Sequence, residues 1–117
     1  MTTQPSGSFP KRARLRRRNE FLRVQAEGRR QHTEHFVVLT APPASCSTRV
    51  GITVSTRVGN AVARNRVKRL VREVVRQAGS VAEPPRDIVV IAKPGAAHAT
   101  YADAAAQLSR ALGFGER

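Results

Sequence analysis

The chain has 117 residues, enough for one domain with a single modest core, and carries 21 Lys and Arg against 8 Asp and Glu, a net charge of +13. One cysteine, Cys46, excludes a disulfide framework and a cysteine-rich metal site, and no apolar run reaches the roughly 18 residues that span a bilayer. Most of the cationic excess is arginine, whose planar fork suits phosphate, so the partner expected is a polyanion and first of all a nucleic acid.

Residues 1–10 are polar, with Pro5, Gly7 and Pro10, and are expected to form a disordered tail ahead of a single domain over 11–117. They lack the apolar segment of a secretory signal, so a cytoplasmic location is expected. The basic run Lys11 to Arg18 leads into a short helix, with Asn19 as its expected cap, Phe21 and Val24 one turn apart, and Gly28 as its stop. Phe36-Val37-Val38-Leu39-Thr40 reads as a strand, and Ala41 to Thr48, with two prolines, as a loop. Val50, Ile52 and Val54 alternate with small residues, the pattern of a half-buried strand. After the Val58-Gly59-Asn60 turn, Asn60 can cap a long helix that should end near Ala78, with Gly79 in a left-handed cap. Ser80 to Arg86 reads as a loop, Ile88 to Ala92 as a central strand buried on both faces, and Pro94-Gly95 as a break. Thr100 is the expected cap of a last helix, Tyr101 to about Leu112, with Ala104, Ala105, Leu108, Ala111 and Leu112 turned inward. These elements predict an α+β fold, a two-layer α-β sandwich of three helices and one small mixed sheet.

The long helix carries the chemistry. Ala63, Val67, Leu70, Val71 and Val74 form its apolar stripe, and Arg64, Asn65, Lys68, Arg69, Arg72 and Arg76 gather on a neighbouring arc. Like charges one turn apart repel by a few tenths of a kcal/mol per pair, roughly, and only Glu73 stands near to relieve them. A solvated face would mix the two signs; this one asks for phosphate. Basic membrane helices carry Trp or Phe on the apolar side, which this helix lacks. No acidic pair suits acid–base or two-metal chemistry, His32 and His35 have no further ligands at zinc spacing, and no phosphate loop or nucleophile motif is present. A small RNA- or DNA-binding domain without catalytic residues of its own is expected.

The segments Arg49-Val50-Gly51-Ile52-Thr53-Val54-Ser55, Gly59-Asn60-Ala61-Val62 and Arg64-Asn65-Arg66-Val67-Lys68-Arg69-Leu70-Val71-Arg72 resemble the signature of the bacterial ribonuclease P protein subunit. Arg14-Leu15, Glu20-Phe21, Val24 and Gly28 are similar to that family's first helix, and the resemblance runs from about Arg12 to Leu112. It implies a left-handed β-α-β crossover around the basic helix, where the general rule favours the right-handed form. It also implies an accessory subunit of an endoribonuclease whose chemistry, and whose Mg²⁺, belong to a catalytic RNA. No metal is expected to be held firmly by the protein, and neither a membrane nor a protein partner is expected to be required. Its partners would be that catalytic RNA and the 5′ leader of precursor tRNA. The resemblance assigns Arg57, Asn60, Arg64, Asn65, Arg66, Lys68, Arg69 and Arg72 to RNA binding, and Arg14, Phe21 and Phe36 to a leader-binding cleft. Gln25 and Leu39 stand where the family often has aromatics, and Thr56 where it is often basic, so leader contacts should lean on polar and arginine groups. The competing expectations are a ribosomal-type RNA-binding protein without a nuclease role, and a basic protein of DNA or membrane surfaces.

Overall fold

The computed structural model describes residues 15, 17–42, 48–78 and 86–112. In chain order the elements are α1 (Arg18–Glu27), β1 (Arg29–His32), β2 (Phe36–Ala41), β3 (Arg49–Thr53), α2 (Ala61–Ala78), β4 (Asp87–Ala92), a 3₁₀ turn (Pro94–His98) and α3 (Tyr101–Leu112). The expected tail 1–10, Arg14, Gly79 and most of the two proline-containing loops lie outside the described residues.

The strands form one mixed sheet in the order β1-β2-β4-β3, antiparallel except for the neighbouring parallel pair β3 and β4, which α2 connects. Ile88, Val89 and Val90 are wholly buried, as expected of an interior strand in an apolar run. Period-two alternation splits the apolar residues between two faces. Phe36, Val38, Val50, Ile88 and Val90 pack against Val67, Val71, Val74 and Val75 of α2 and Ala104, Leu108 and Leu112 of α3. Leu39, Ala41 and Val89 face the other way and pack against Leu15 and Val24. The sheet with α2 and α3 is thus the expected sandwich, and α1 is added on the far face. Burying a side chain such as Phe36, Leu39 or Ile88 stabilises the fold by about 1.5–3 kcal/mol each.

Two local expectations are corrected. α1 begins two residues earlier than a cap at Asn19 allows: Arg17, at φ −95° and ψ 146°, is the N-cap, and its N–H donates to Glu20 Oε1 at 3.1 Å. A cap must be non-helical, and Asn19 already lies within the first turn. The strand β1 is not among the expected elements, which begin the sheet at Phe36, because Arg29-Arg30-Gln31-His32 has no apolar alternation; all four residues are exposed, and pairing with β2 is what makes them a strand. Gly28 does stop α1, in extended backbone, and a Cβ there would stand 2.5 Å from the Val24 carbonyl oxygen and 2.8 Å from that of Thr40. The other caps are as expected: Asn60 Oδ1 accepts the Ala63 N–H at 2.9 Å, and Thr100 Oγ1 accepts the Asp103 N–H at 3.1 Å.

Candidate RNA interface

The buried stripe of α2 fixes where its cations stand. Val67 and Val71 have no exposure, so the arc beside them is turned away from the core. There Asn65, Lys68, Arg69, Arg72 and Glu73 line an open groove of about 500 Å³. Glu73 is engaged by Arg76 at 2.6 Å and Gln77 at 3.0 Å, and the Arg76 hydrogen bond holds its carboxyl below the usual range. Among the described residues the groove lining therefore holds three basic side chains and one acid, and that acid is engaged by Arg76 and Gln77 from outside the lining. The first turn of α2 contains no acidic residue, whereas α1 has Glu20 and α3 has Asp103 there. Arg64 instead adds to the positive end of the helix dipole, an arrangement that favours an approaching anion.

The eight residues assigned to RNA binding do not share one environment. Lys68, Arg69, Arg72 and Asn65 converge on the groove. Arg64 sits nearer the turn, where its Nε donates to the Gly59 carbonyl at 3.2 Å. Arg66 points to the 3₁₀ turn and donates to the carbonyls of Ala97 at 3.2 Å and Ala99 at 2.7 Å. Asn60 is occupied on its oxygen as the helix cap, and Arg57 is exposed beside it, with its backbone N–H on Ser55 Oγ at 3.2 Å. The arginine block thus divides between side chains that line the open groove and side chains that hydrogen-bond to the backbone around it.

On the opposite face of the sheet α1 covers only part of the strands. Arg18, Phe21, Leu22, Gln25 and Thr53 line a groove of about 470 Å³ along its flank. Phe21 lies over Gly51, whose missing Cβ makes room: one built there would stand 2.5 Å from Phe21 Cζ. Arg14 lies outside the described residues. Phe36 is a correction: it is wholly buried and belongs to the α2–α3 side of the sheet, so it cannot meet a ligand in this groove. The alternation along β2 is the reason, since Val37 and Leu39, not Phe36, point toward α1. Leu39 is itself wholly buried, whereas Gln25 is exposed on the groove wall.

An ionic cluster that the sequence did not disclose fixes α1 in place. Asp87 is wholly buried at the start of β4 and pairs with Arg23 of α1 and with Arg49 of β3, the latter at 3.2 Å. Arg49 also reaches Glu20 of α1 at 2.9 Å, and Arg23 reaches Glu27 at 2.9 Å. The Asp87 hydrogen bond pushes the Arg49 pKa upward, against the effect of burial. The available signal was an aspartate opening an apolar strand run, which in a buried position demands a cationic partner. His35 is likewise structural: its backbone N–H donates to Gln107 Oε1 at 2.8 Å, and its Nδ1 lies 2.7 Å from Gln107 Nε2. Among the described residues no three His, Cys, Asp or Glu side chains gather as a metal site, and no helix is long and apolar enough to cross a membrane.

Comparison with known proteins identifies the family and the fold. Residues 9–114 match the family model described as Ribonuclease P. The ribonuclease P protein component of Citrifermentans bemidjiense is 44% identical over 108 residues, 92% of each chain. That of Desulfovibrio desulfuricans is 47% identical over 104 residues, 86% of this chain and 80% of its own. Among solved structures, a Staphylococcus aureus RNase P protein mutant with defective mRNA degradation activity superposes with a TM-score of 0.80 at 33% identity, over 88% of this chain and 87% of that one. The RNase P protein of Thermotoga maritima gives 0.76 at 34% identity, over 85% and 94%. The chain belongs to the bacterial ribonuclease P protein family, the protein component of a tRNA 5′-processing holoenzyme whose catalysis lies in RNA.

Proposed function

We propose that the protein docks on the catalytic RNA of ribonuclease P through α2 and holds the 5′ leader of precursor tRNA in the groove between α1 and the sheet. The observation that carries this reading is the groove of Asn65, Lys68, Arg69 and Arg72, a cationic surface whose one acid among the described residues, Glu73, is engaged by Arg76 and Gln77. It supplies charge without catalytic groups, which suits a subunit that positions RNA and leaves cleavage to RNA-bound Mg²⁺. Each phosphate it meets releases counterions, so binding should weaken steeply with salt. On the other face Phe21 offers an aromatic surface on which a base stacks for about 1–3 kcal/mol. Because the two surfaces lie on opposite faces of one sheet, the protein can bridge catalytic RNA and leader without competition between them. The place of action is the cytoplasm. A ribosomal-type role is not favoured, since the family match concerns ribonuclease P.

The experiment is reconstitution. Purified protein added to ribonuclease P RNA at low magnesium should restore cleavage of precursor tRNA, with tighter binding of precursor than of mature tRNA. No stimulation at saturating protein would overturn the reading.

A further inference from the structure

The strand register assembles a row that no sequence motif marks. Thr53 of β3 pairs with Ile91 of β4, Ile91 with Val37 of β2, and Val37 with His32 of β1. Directly paired residues share a face, and Val37 and Ile91 belong to the α1 side, so the row crosses the whole sheet beside α1. Its first three members are partly exposed and uncharged, and the last is exposed at the sheet edge. One row back, Gly51, Val89, Leu39 and Arg30 are aligned in the same way. The first three of these are buried under α1, and Arg30 emerges exposed on the edge strand.

The row therefore has an apolar floor with a basic group near either end, Arg18 by Phe21 and Thr53, and Arg30 by His32. The nearest acid at the C-terminal end of α1, Glu27, is paired with Arg23. Thr53 ends the strand that runs into the Asn60 cap of α2, so one end of the row adjoins the RNA-docking helix and the other lies at the opposite edge of the sheet. Three inter-strand spacings make the row about 14 Å long. Bases laid against a four-stranded sheet number about two or three across such a width.

We propose that Arg30 and His32 form an outer subsite for single-stranded RNA, engaging the part of a leader farthest from the cleavage site after it has crossed the sheet along the Thr53–Ile91–Val37 row. The proposal rests on the leader reading above and extends it to β1. Bases lie on the uncharged floor, Arg30 meets a backbone phosphate, and the His32 ring offers a stacking surface at the exit.

Arg29 provides an internal control. It is exposed on the same strand and carries the same charge, but it pairs with Thr40 and so belongs to the other face. Holoenzyme affinity is measured by equilibrium binding for precursors with leaders of one to about eight nucleotides, using wild-type protein, Arg30→Gln and Arg29→Gln. The expected result is a loss of about 3–10-fold for Arg30→Gln that emerges only once the leader exceeds about three nucleotides, with a shallower salt slope by about one unit. Arg29→Gln should match wild type at every length. Equal losses for the two variants, or a loss for Arg30→Gln that does not depend on leader length, overturn the outer subsite while leaving the leader reading intact. A wild-type holoenzyme indifferent to leader length throughout overturns the leader reading, and the outer subsite with it.

Discussion

Arg66 donates to the carbonyl oxygen of Ala99 at 2.7 Å and ties the basic helix α2 to the 3₁₀ turn that precedes α3. Its second hydrogen bond, to Ala97, makes the contact a clamp on two backbone acceptors. Arg69, three residues on, lines the open groove instead. The two arginines should therefore fail differently when truncated. Arg66→Ala is expected to cost about 1–3 kcal/mol of stability, because hydrogen bonds to a charged donor are lost, and to lower the melting temperature accordingly. Arg69→Ala should leave the melting temperature within a degree or two and reduce the salt slope of RNA binding by about one unit. Thermal melts beside salt-dependent binding isotherms decide it; matching melts for both variants would remove the structural role assigned to Arg66.

Gly51 sets the height of Phe21. A methyl group at this position would meet Phe21 Cζ at 2.5 Å, Phe21 Cε2 at 2.6 Å and Leu15 Cβ at 3.0 Å, so the ring must move. Gly51→Ala is expected to destabilise by about 1–3 kcal/mol through overpacking and to diminish the preference for leader-bearing precursor over mature tRNA. Phe21→Ala should lose the same preference. If Gly51→Ala leaves the preference at the wild-type level while Phe21→Ala abolishes it, ring position is not what the leader senses.

The parts of this molecule that were legible in advance are those written as periodicity. The 3.6-residue stripe of α2, the period-two strand at Val50, the buried run at Ile88 and the caps Asn60 and Thr100 each depend on neighbours close in sequence, and each is present. What escaped depends on distant partners. β1 is a strand because β2 lies beside it, the Asp87 cluster joins residues 64 positions apart, and Arg66 finds its carbonyls 31 and 33 positions away. Phe36 shows the remaining limit. An aromatic residue opening a strand can face either side, and only the placement of α1 and α2 on opposite faces decides between core and cleft. The arginine block itself was recognisable, but its division into bracing and groove-lining residues is a property of the folded chain.

Asp87 is the buried centre of the attachment between α1 and the sheet. With no exposure and with two arginines on one carboxylate, its removal leaves Arg23 and Arg49 facing one another across a part-buried site. Asp87→Ala is expected to cost about 3–5 kcal/mol in chemical denaturation, in the range for breaking a buried ion pair from one side. The Arg23→Ala variant should cost less, because Arg49 and its bond to Glu20 persist. A loss below about 1 kcal/mol for Asp87→Ala would mean that hydrophobic packing of Leu15 and Val24 alone secures α1.

Acid should loosen the cap of α3 before the bulk of the core. Asp103 closes a reciprocal pair with Thr100, each side chain meeting the other's backbone N–H at 3.1 Å. The Thr100 backbone hydrogen bond, followed by its hydroxyl, holds the Asp103 carboxyl below the usual range, and Arg76 does the same for Glu73. Folded values depressed in this way contribute stability that is fully present above the unfolded carboxylate pKa values and is lost as pH falls through the folded ones. Stability should therefore hold steady from neutrality down to about pH 5 and decline below about pH 4. Asp103→Asn keeps a hydrogen-bond acceptor but does not titrate, so its stability should fall less steeply over the same acid range than that of the wild type. Parallel acid titrations followed by circular dichroism test this; identical slopes would show that the Asp103 cap does not contribute to the acid transition.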